Sequence, residues 1–421
     1  VFGSCKGAML RYTASSEDMT TYKYDKLGLA KDIIVNMNGG AVNGTIYGGG
    51  ESGDVQGSVS VSMTGGTVKK DVYGGGALAD TQISNWSGTT WAEGKTSASS
   101  TTTVNLLGGT IGGDAYGGGL GRLEATGVKA IEAMVYGDVS LNLGKANDDT
   151  TPATAFNISK YDGKDIVKSG RLFGCNNLNG TPKGNVTVTV NKTVAGNVTR
   201  TAITRDSQTH KVTNVGSPHT YEVAAVYGGG NLANYIPKEG AVKVIINGCD
   251  VSIEEVYGGG NAAEVPATDV LVLGAHQIEQ VFGGGNGADN YTLDGGTTWN
   301  VNPGANVNGN ANTLLKGGLI HEAYGGSNEK GTITGNITID TGSGGLANCP
   351  VQVDKLVGAG KNADVNGNMY IILGCKDATL IPIVYGGADN ANVNGNVELT
   401  ITSGHFGKVF GGNNLGGAIR G

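Results

Sequence analysis

Apolar and polar residues alternate along this chain in short runs. In Ser58-Val59-Ser60-Val61-Ser62-Met63, the residues Val59, Val61 and Met63 share one face. Val242, Val244 and Ile246 do the same, as do Val186, Val188 and Val190, and Val397, Leu399 and Ile401. Period two with β-branched side chains predicts half-buried strands, not helices. Each run closes on glycine, as at Gly65-Gly66, Gly108-Gly109, Gly248, Gly274 and Gly404, which predicts a turn. A second short strand follows, with apolar residues three or four apart: Val68 and Val72, Ile253 and Val256, Ile278 and Val281.

The second strand runs into a recurring motif: an apolar residue, then usually Tyr or Phe, then glycines. The clear copies start at Tyr47, Tyr73, Tyr116, Tyr227, Tyr257 and Phe282, each followed by three glycines. Weaker copies start at Phe2, Tyr136, Phe173, Tyr324, Val357, Tyr385 and Phe410. The short spacings are 26 residues (47 to 73), 30 (227 to 257) and 25 (257 to 282); the long ones reach 43 (73 to 116) and 54 (173 to 227). The short spacings define a unit, and the long ones read as that unit with an inserted loop. The fold class that follows is all-β. It is a single-stranded parallel β-helix of about 12 coils of roughly 25 residues. Residues 1–421 form one continuous β-solenoid segment, with loop insertions near 77–102, 120–134, 144–170, 192–224 and 287–318. At about 4.8 Å per coil the rod is about 60 Å long.

Glycine is 76 of the 421 residues, far above the usual share of about 7%. It recurs at fixed places in the unit, which suits tight corners and close approach of neighbouring coils. The absence of a three-residue period excludes collagen.

If the coils stack in register, the motif aromatics form a column: Phe2, Tyr47, Tyr73, Tyr116, Phe173, Tyr227, Tyr257, Phe282, Tyr324, Tyr385 and Phe410. Tyr and Phe interchange there, so the position requires the ring and not the hydroxyl. Offset ring stacking between coils is the structural reading. A corner interrupts strict alternation, so the column's direction stays open, and an outward column would form a strip for sugar rings. Asn follows the glycines at Asn176, Asn231, Asn261, Asn286, Asn328, Asn362, Asn390 and Asn413. Such residues suit corners and stacked amide ladders. Gly285-Asn286-Gly287-Ala288-Asp289 is similar to part of a calcium-binding nonapeptide, but the nine-residue tandem period is absent, so no metal site is expected.

Charge changes the picture by exclusion. There are 29 basic and 36 acidic residues, a net charge of −7, which speaks against a nucleic-acid partner. No apolar run is long enough for a membrane span. The chain opens and closes on a motif, so the segment is expected to lack its own caps. It would then belong to a longer protein or self-associate head to tail through its terminal coils. Five cysteines (Cys5, Cys175, Cys249, Cys349 and Cys375) lack metal-ligand spacing. Several occupy repeat positions and are expected to be buried free thiols.

Catalytic constellations are missing. The five histidines are scattered, there is no metalloprotease motif or nucleophile elbow, and the glycine runs lack the lysine of a phosphate loop. Asp148-Asp149 and Glu254-Glu255 read as solvated edges. The expectation is no enzyme, no catalytic residue, no metal and no cofactor. Trp86, Trp91 and Trp299 all fall in insertions, which makes them candidate ligand-contact residues as well as pins holding each loop to the rod.

The Val-Tyr-Gly-Gly-Gly-Asn signature and the run Val393-Asn394-Gly395-Asn396-Val397 resemble glycine-rich repeats in large secreted or surface proteins of Gram-negative anaerobic bacteria. The resemblance covers nearly the whole chain. It implies a right-handed parallel β-helix, an extracellular or cell-surface location and an adhesin-like or fibrous role. The expected function is therefore a non-enzymatic structural protein, a fibre subunit or adhesin shaft, with a glycan or host-surface ligand. The alternative is a carbohydrate-binding or polysaccharide-cleaving β-helix.

Overall fold

A computed structural model describes residues 1–7, 28–83, 100–146, 151–159, 168–193, 204–207, 212–214, 220–237, 240–294, 297–342, 344–374 and 380–421. It is all-β, and every named strand of its two long sheets pairs in parallel. One sheet has 12 strands. It runs from Ile33–Val42 through Val59–Val68, Thr101–Ile111, Val186–Val190 and Val242–Asn247 to Val397–Ser403. The other has 11 strands, from Ile46–Tyr47 to His405–Phe410. The chain alternates between the two sheets, so each turn adds one strand to each. A third line of parallel bridges links Val265, Val307, Ile333, Val365, Val393 and Ile419 in turn. This is a single-stranded parallel β-helix.

Alternation fixes what faces inward. Val59, Val61 and Met63 are buried, while Ser60 and Ser62 are partly exposed. Parallel register then stacks like on like. Val35, Val61, Val104, Leu141, Val188, Val244 and Val270 pair successively down the rod. The column continues through Thr313 to Ile339, Ile371 and Leu399. In the second sheet the residue before each ring (Val72, Leu172, Val226, Val256, Val281) joins the same aliphatic core. Thr268 also faces this core, and its hydroxyl is satisfied by donating to the Gly283 carbonyl at 2.6 Å.

The glycines have two distinct causes. Gly66 and Gly109, inside the strands Val59–Val68 and Thr101–Ile111 at a shift in register, and Gly404, just after Val397–Ser403, have φ of 85°, 79° and 110°, the left-handed region where a Cβ is strained. The first glycine after each ring is different, because its constraint is space. A methyl on Gly258 would overlap the Gly283 carbonyl oxygen, and one on Gly283 would overlap that of Gly325. The backbone bonds that close this gap are Gly228 N to Tyr257 O (3.0 Å) and Gly258 N to Phe282 O (2.9 Å).

Two sequence expectations are corrected. Tyr136 is not a copy of the ring position: its neighbour Val135 bridges Thr81 and Pro182 in the third line of the coil. The glycine after an aromatic gave the resemblance, and the surrounding register removes it. Cys249 is not a free thiol either. It forms a disulfide with Cys349, with a Cα–Cα distance of 5.6 Å and 100 residues between. The segment bearing Cys349 turns back along the rod, where Leu346 N donates to Leu273 O (2.7 Å) and Cys349 O accepts from Gly318 N (2.7 Å). Cys175 is buried and free, whereas Cys5 is free but exposed. Cys375 lies outside the described residues.

Reduction, or the Cys249→Ala/Cys349→Ala double variant, is expected to lower stability by about 2–4 kcal/mol, read as a lower urea midpoint. Gly258→Ala is expected to cost about 1–3 kcal/mol in the same assay, because the crowded atom is backbone and cannot swing away.

Candidate functional site

The rings stack on the side of their sheet opposite the aliphatic core. From Phe2 to Tyr324, successive centroids lie 4.6 to 5.1 Å apart, with interplanar angles of 4° to 12°. That separation is the strand spacing itself, so register imposes the stack. Val357 pairs between Tyr324 and Tyr385 and interrupts the rings, and the stack resumes at Tyr385 and Phe410. The seven rings from Tyr73 to Tyr324 are buried, Tyr47 and Tyr385 are half-buried, and Phe2 and Phe410 are exposed. Alternation thus points the rings away from the core, yet they are covered. The inner part of the column cannot serve as an open strip for sugars.

The cover begins two residues before each ring, on the same face. Asp71, Asp114, Arg171, Glu255, Gln280, Glu322 and Lys355 occupy that position in their coils. They form a polar row. Asp71 Oδ1 accepts from Asp114 N (2.9 Å), and Asp114 Oδ1 accepts from Arg171 N (2.9 Å). Arg171 Nη2 donates to Asp114 Oδ2 at 2.7 Å, and its guanidinium lies 5.1 Å from the Phe173 ring centroid. Further along, Gln280 donates to Glu322 (2.6 Å), and Lys355 Nζ lies 2.9 Å from Asp389 Oδ2. Between Arg171 and Glu255 the row holds only Ala225. Lys168, from the 144–170 insertion, reaches Glu255 at 3.5 Å and Asp289 at 3.1 Å. Asp289 is therefore committed to a lysine, not poised around a cation.

Burial sets the protonation of this row. Burial, then the neighbouring Asp114, pushes the Asp71 carboxyl up to about 6. Burial works against the Arg171 charge, but the charge and hydrogen bonds of Asp114, with the nearby Tyr116 and Tyr227, together offset it and hold the guanidinium above its ordinary value. Burial raises Glu255, with Lys168 opposing.

The asparagines divide by position. Those four residues after the ring form a ladder: Asn231 donates to Asn177 (2.9 Å), Asn261 to Asn231 (2.9 Å), Asn286 to Asn261 (3.0 Å) and Asn328 to Asn286 (2.9 Å). The ladder also holds the ring hydroxyls, with Asn177 donating to Tyr73 (2.6 Å) and Asn286 to Tyr227 (3.2 Å). Asn176, which the sequence placed with these, sits one residue earlier and braces a corner by donating to Ala133 O at 2.6 Å. Asn413 braces in the same way, and its Oδ1 accepts from Ala388 N at 2.8 Å. Asn362 and Asn390 sit one residue later and donate outward, Asn362 to Glu329.

A groove of about 480 Å³ opens over this cover. The polar row forms one wall, with Asp71, Asp114 and Arg171 at its base and Lys69, Lys70 and Lys168 along it. The other wall is the ladder amides Asn177 and Asn231 with Leu178 and Leu232, joined by Tyr291 and Leu293 from the 287–318 insertion. Both oxygens of Asp114 accept from Arg171, so Asp71 lacks a free second carboxylate beside it. Trp299 is half-buried and does not line this groove. Trp86 and Trp91 lie outside the described residues. Sequence reading missed the row, although a charged residue two before the ring in consecutive copies was its visible trace.

Among the described residues, no helix is long and apolar enough to cross a membrane. No family model matches the chain, and no curated protein or solved structure matches it.

Two outcomes are expected. Tyr227→Phe removes only the hydroxyl and should cost about 0.5–1.5 kcal/mol, whereas Tyr227→Ala removes a ring from the stack and should cost about 3–5 kcal/mol. Thermal or urea unfolding of both variants tests this ranking. For Asp71 the folded value lies above the unfolded one, so the fold holds its proton more tightly. Its contribution to stability is highest below the ordinary carboxylate range and is lost as pH rises to about 6. Asp71→Asn, which keeps the acceptor for Asp114 N, should therefore stabilise the protein by about 1–2 kcal/mol at neutral pH. Near pH 4 it should change stability little, and urea midpoints at the two pH values decide the matter.

Proposed function

We propose that this chain is a rigid extracellular shaft, a non-enzymatic structural protein that serves as a fibre subunit or as the stalk of an adhesin. The observation that supports this most directly is the continuity of the two parallel sheets, 11 and 12 strands long, through every insertion. A core in which each coil is held only by its neighbours makes a linear body whose length scales with the number of repeats. The Cys249–Cys349 disulfide favours an oxidising compartment, which agrees with export. The glycine-rich repeats that this chain resembles occur in secreted and surface proteins, which supports the same location.

Head-to-tail association belongs to this proposal. The outermost described coils carry the same elements at matching positions, with Phe2 and Phe410 both in the ring position, so one exposed coil edge complements the other. A contact of that kind is heterologous and extends without closing. Multi-angle light scattering and negative-stain electron microscopy of purified chain 1–421 are expected to show rods longer than one molecule. A monodisperse monomer would overturn the filament form and leave the shaft. Surface labelling of intact producing cells is expected to reach the protein, and exclusive recovery from the cytosolic fraction would overturn export.

A further inference from the structure

We propose that the groove between the polar row and the 287–318 insertion binds an acidic oligosaccharide, a chain bearing uronic acid carboxylates, laid along the rod axis. This goes beyond the shaft role and does not depend on it. Three features of the groove argue for such a ligand.

The first is the pairing of unlike walls. A pyranose ring has an apolar C–H face and a hydroxylated edge. The groove offers Leu178, Leu232 and Tyr291, all partly exposed, together with Leu293, which is 52% exposed. The ladder amides Asn177 and Asn231 stand among them, and the charged row faces them. A few placed polar groups against an apolar wall is how small-ligand sites fix orientation.

The second is periodicity. Asn177 and Asn231 occupy the same position in successive coils, as do Asp71, Asp114 and Arg171 along the row. Hydrogen-bonding groups therefore repeat along the groove at the coil spacing of about 4.8 Å. That is close to the length of one sugar unit, so successive units meet similar partners. Of the two amides that line the groove, Asn231 spends one N–H on Asn177 and one acceptor site on Asn261, while Asn177 spends one N–H on Tyr73 and one acceptor site on Asn231, so both keep further capacity for hydroxyls.

The third is sign. Arg171 is neutralised by Asp114, and Lys168 by Glu255 and Asp289. Lys69 and Lys70 are exposed on the rim, and neither is in an ion pair among the described residues. On a chain of net charge −7, the groove thus keeps two unspent cations at its mouth, against the single carboxylate of Asp71 at its base. They suit carboxylates spaced along a ligand. Two lysines are too few for a phosphate backbone, which wants a continuous basic stripe.

Isothermal titration of chain 1–421 tests this, with short oligosaccharides from polygalacturonate, alginate and hyaluronan as acidic probes and cello-oligosaccharides of equal length as the neutral probe. At least one acidic probe is expected to bind about tenfold tighter than the neutral one, and binding should weaken with added salt. Lys69→Ala/Lys70→Ala is expected to reduce acidic-probe affinity about tenfold with an unchanged melting temperature, because both side chains are exposed. Tyr291→Ala should weaken it as well. Lys243→Ala, exposed on the other sheet, should leave it unchanged. No binding of any acidic probe overturns the proposal. So does equal affinity for the neutral probe, or binding indifferent to the Lys69 and Lys70 substitutions. None of these results bears on rod formation, which scattering and microscopy read separately.

Discussion

Each coil must bring its whole backbone to within one strand spacing of the next, and the point of closest approach is the first glycine after the ring. There the amide bonds to the next coil's ring residue while the carbonyl of the next glycine fills the space a Cβ would need. No other residue fits. This single contact locks the register, and register does the rest. It aligns the valine, leucine and isoleucine columns on one side and the rings on the other. It also sets ring separation at 4.6 to 5.1 Å without any separate device for stacking. The stack is then worth about 0.5–1.5 kcal/mol per pair beyond burial, a reinforcement of geometry already decided.

A layer of rings on the outer side of a sheet would ordinarily be a liability, since exposed aromatics in a row invite association. The chain covers them with two further ladders drawn from the same repeat. The charged row lies two residues before the ring and the amide ladder four residues after it. Both exploit the same register, so many of these side chains meet a partner in the next coil, and Glu255 is met by Lys168 from an insertion. Burial of so many charges is tolerable because the signs are arranged in sequence: Asp71 and Asp114 against Arg171, Lys168 between Glu255 and Asp289, Lys355 between Glu322 and Asp389. The one unbalanced neighbour pair, Asp71 and Asp114, relaxes by raising the Asp71 carboxyl to about 6. The Asn328 to Lys361 change in the ladder coincides with the Val357 gap in the rings, so the two ladders change character in the same coil.

Much of the architecture was legible because period two and the ring–glycine corner are local signals that recur. Val59, Val61 and Met63 declared their face, and Tyr257-Gly258-Gly259-Gly260 declared its corner. What escaped the sequence was whatever depends on the distance between coils. Tyr136 looked like a ring position because local sequence carries no register. Asn176 and Asn177 are neighbours in sequence, but only one reaches the ladder, a matter of a single corner residue. Cys249 and Cys349 are 100 residues apart, and nothing local predicts that the segment ahead of Cys349 doubles back. The groove was the least legible element, because its walls come from strands, corners and two insertions that meet only in the folded rod.

That last point bears on where specificity can reside in such a molecule. A perfect repeat presents the same surface at every coil and distinguishes no position from another. Individuality enters where the repeat fails. Ala225 empties one place in the charged row, and it does so beside the insertion that supplies Lys168. Lys168 in turn meets Asp289, from the insertion that supplies Tyr291. Two long loops, far apart in sequence, are thereby anchored over the same stretch of rod, one on each side of the groove. A loop tied down by a largely buried ion pair on a stiff scaffold is positioned, not merely tolerated. The rod's regularity supplies stiffness and length, and two of its irregularities converge to make this groove unlike the regular coils.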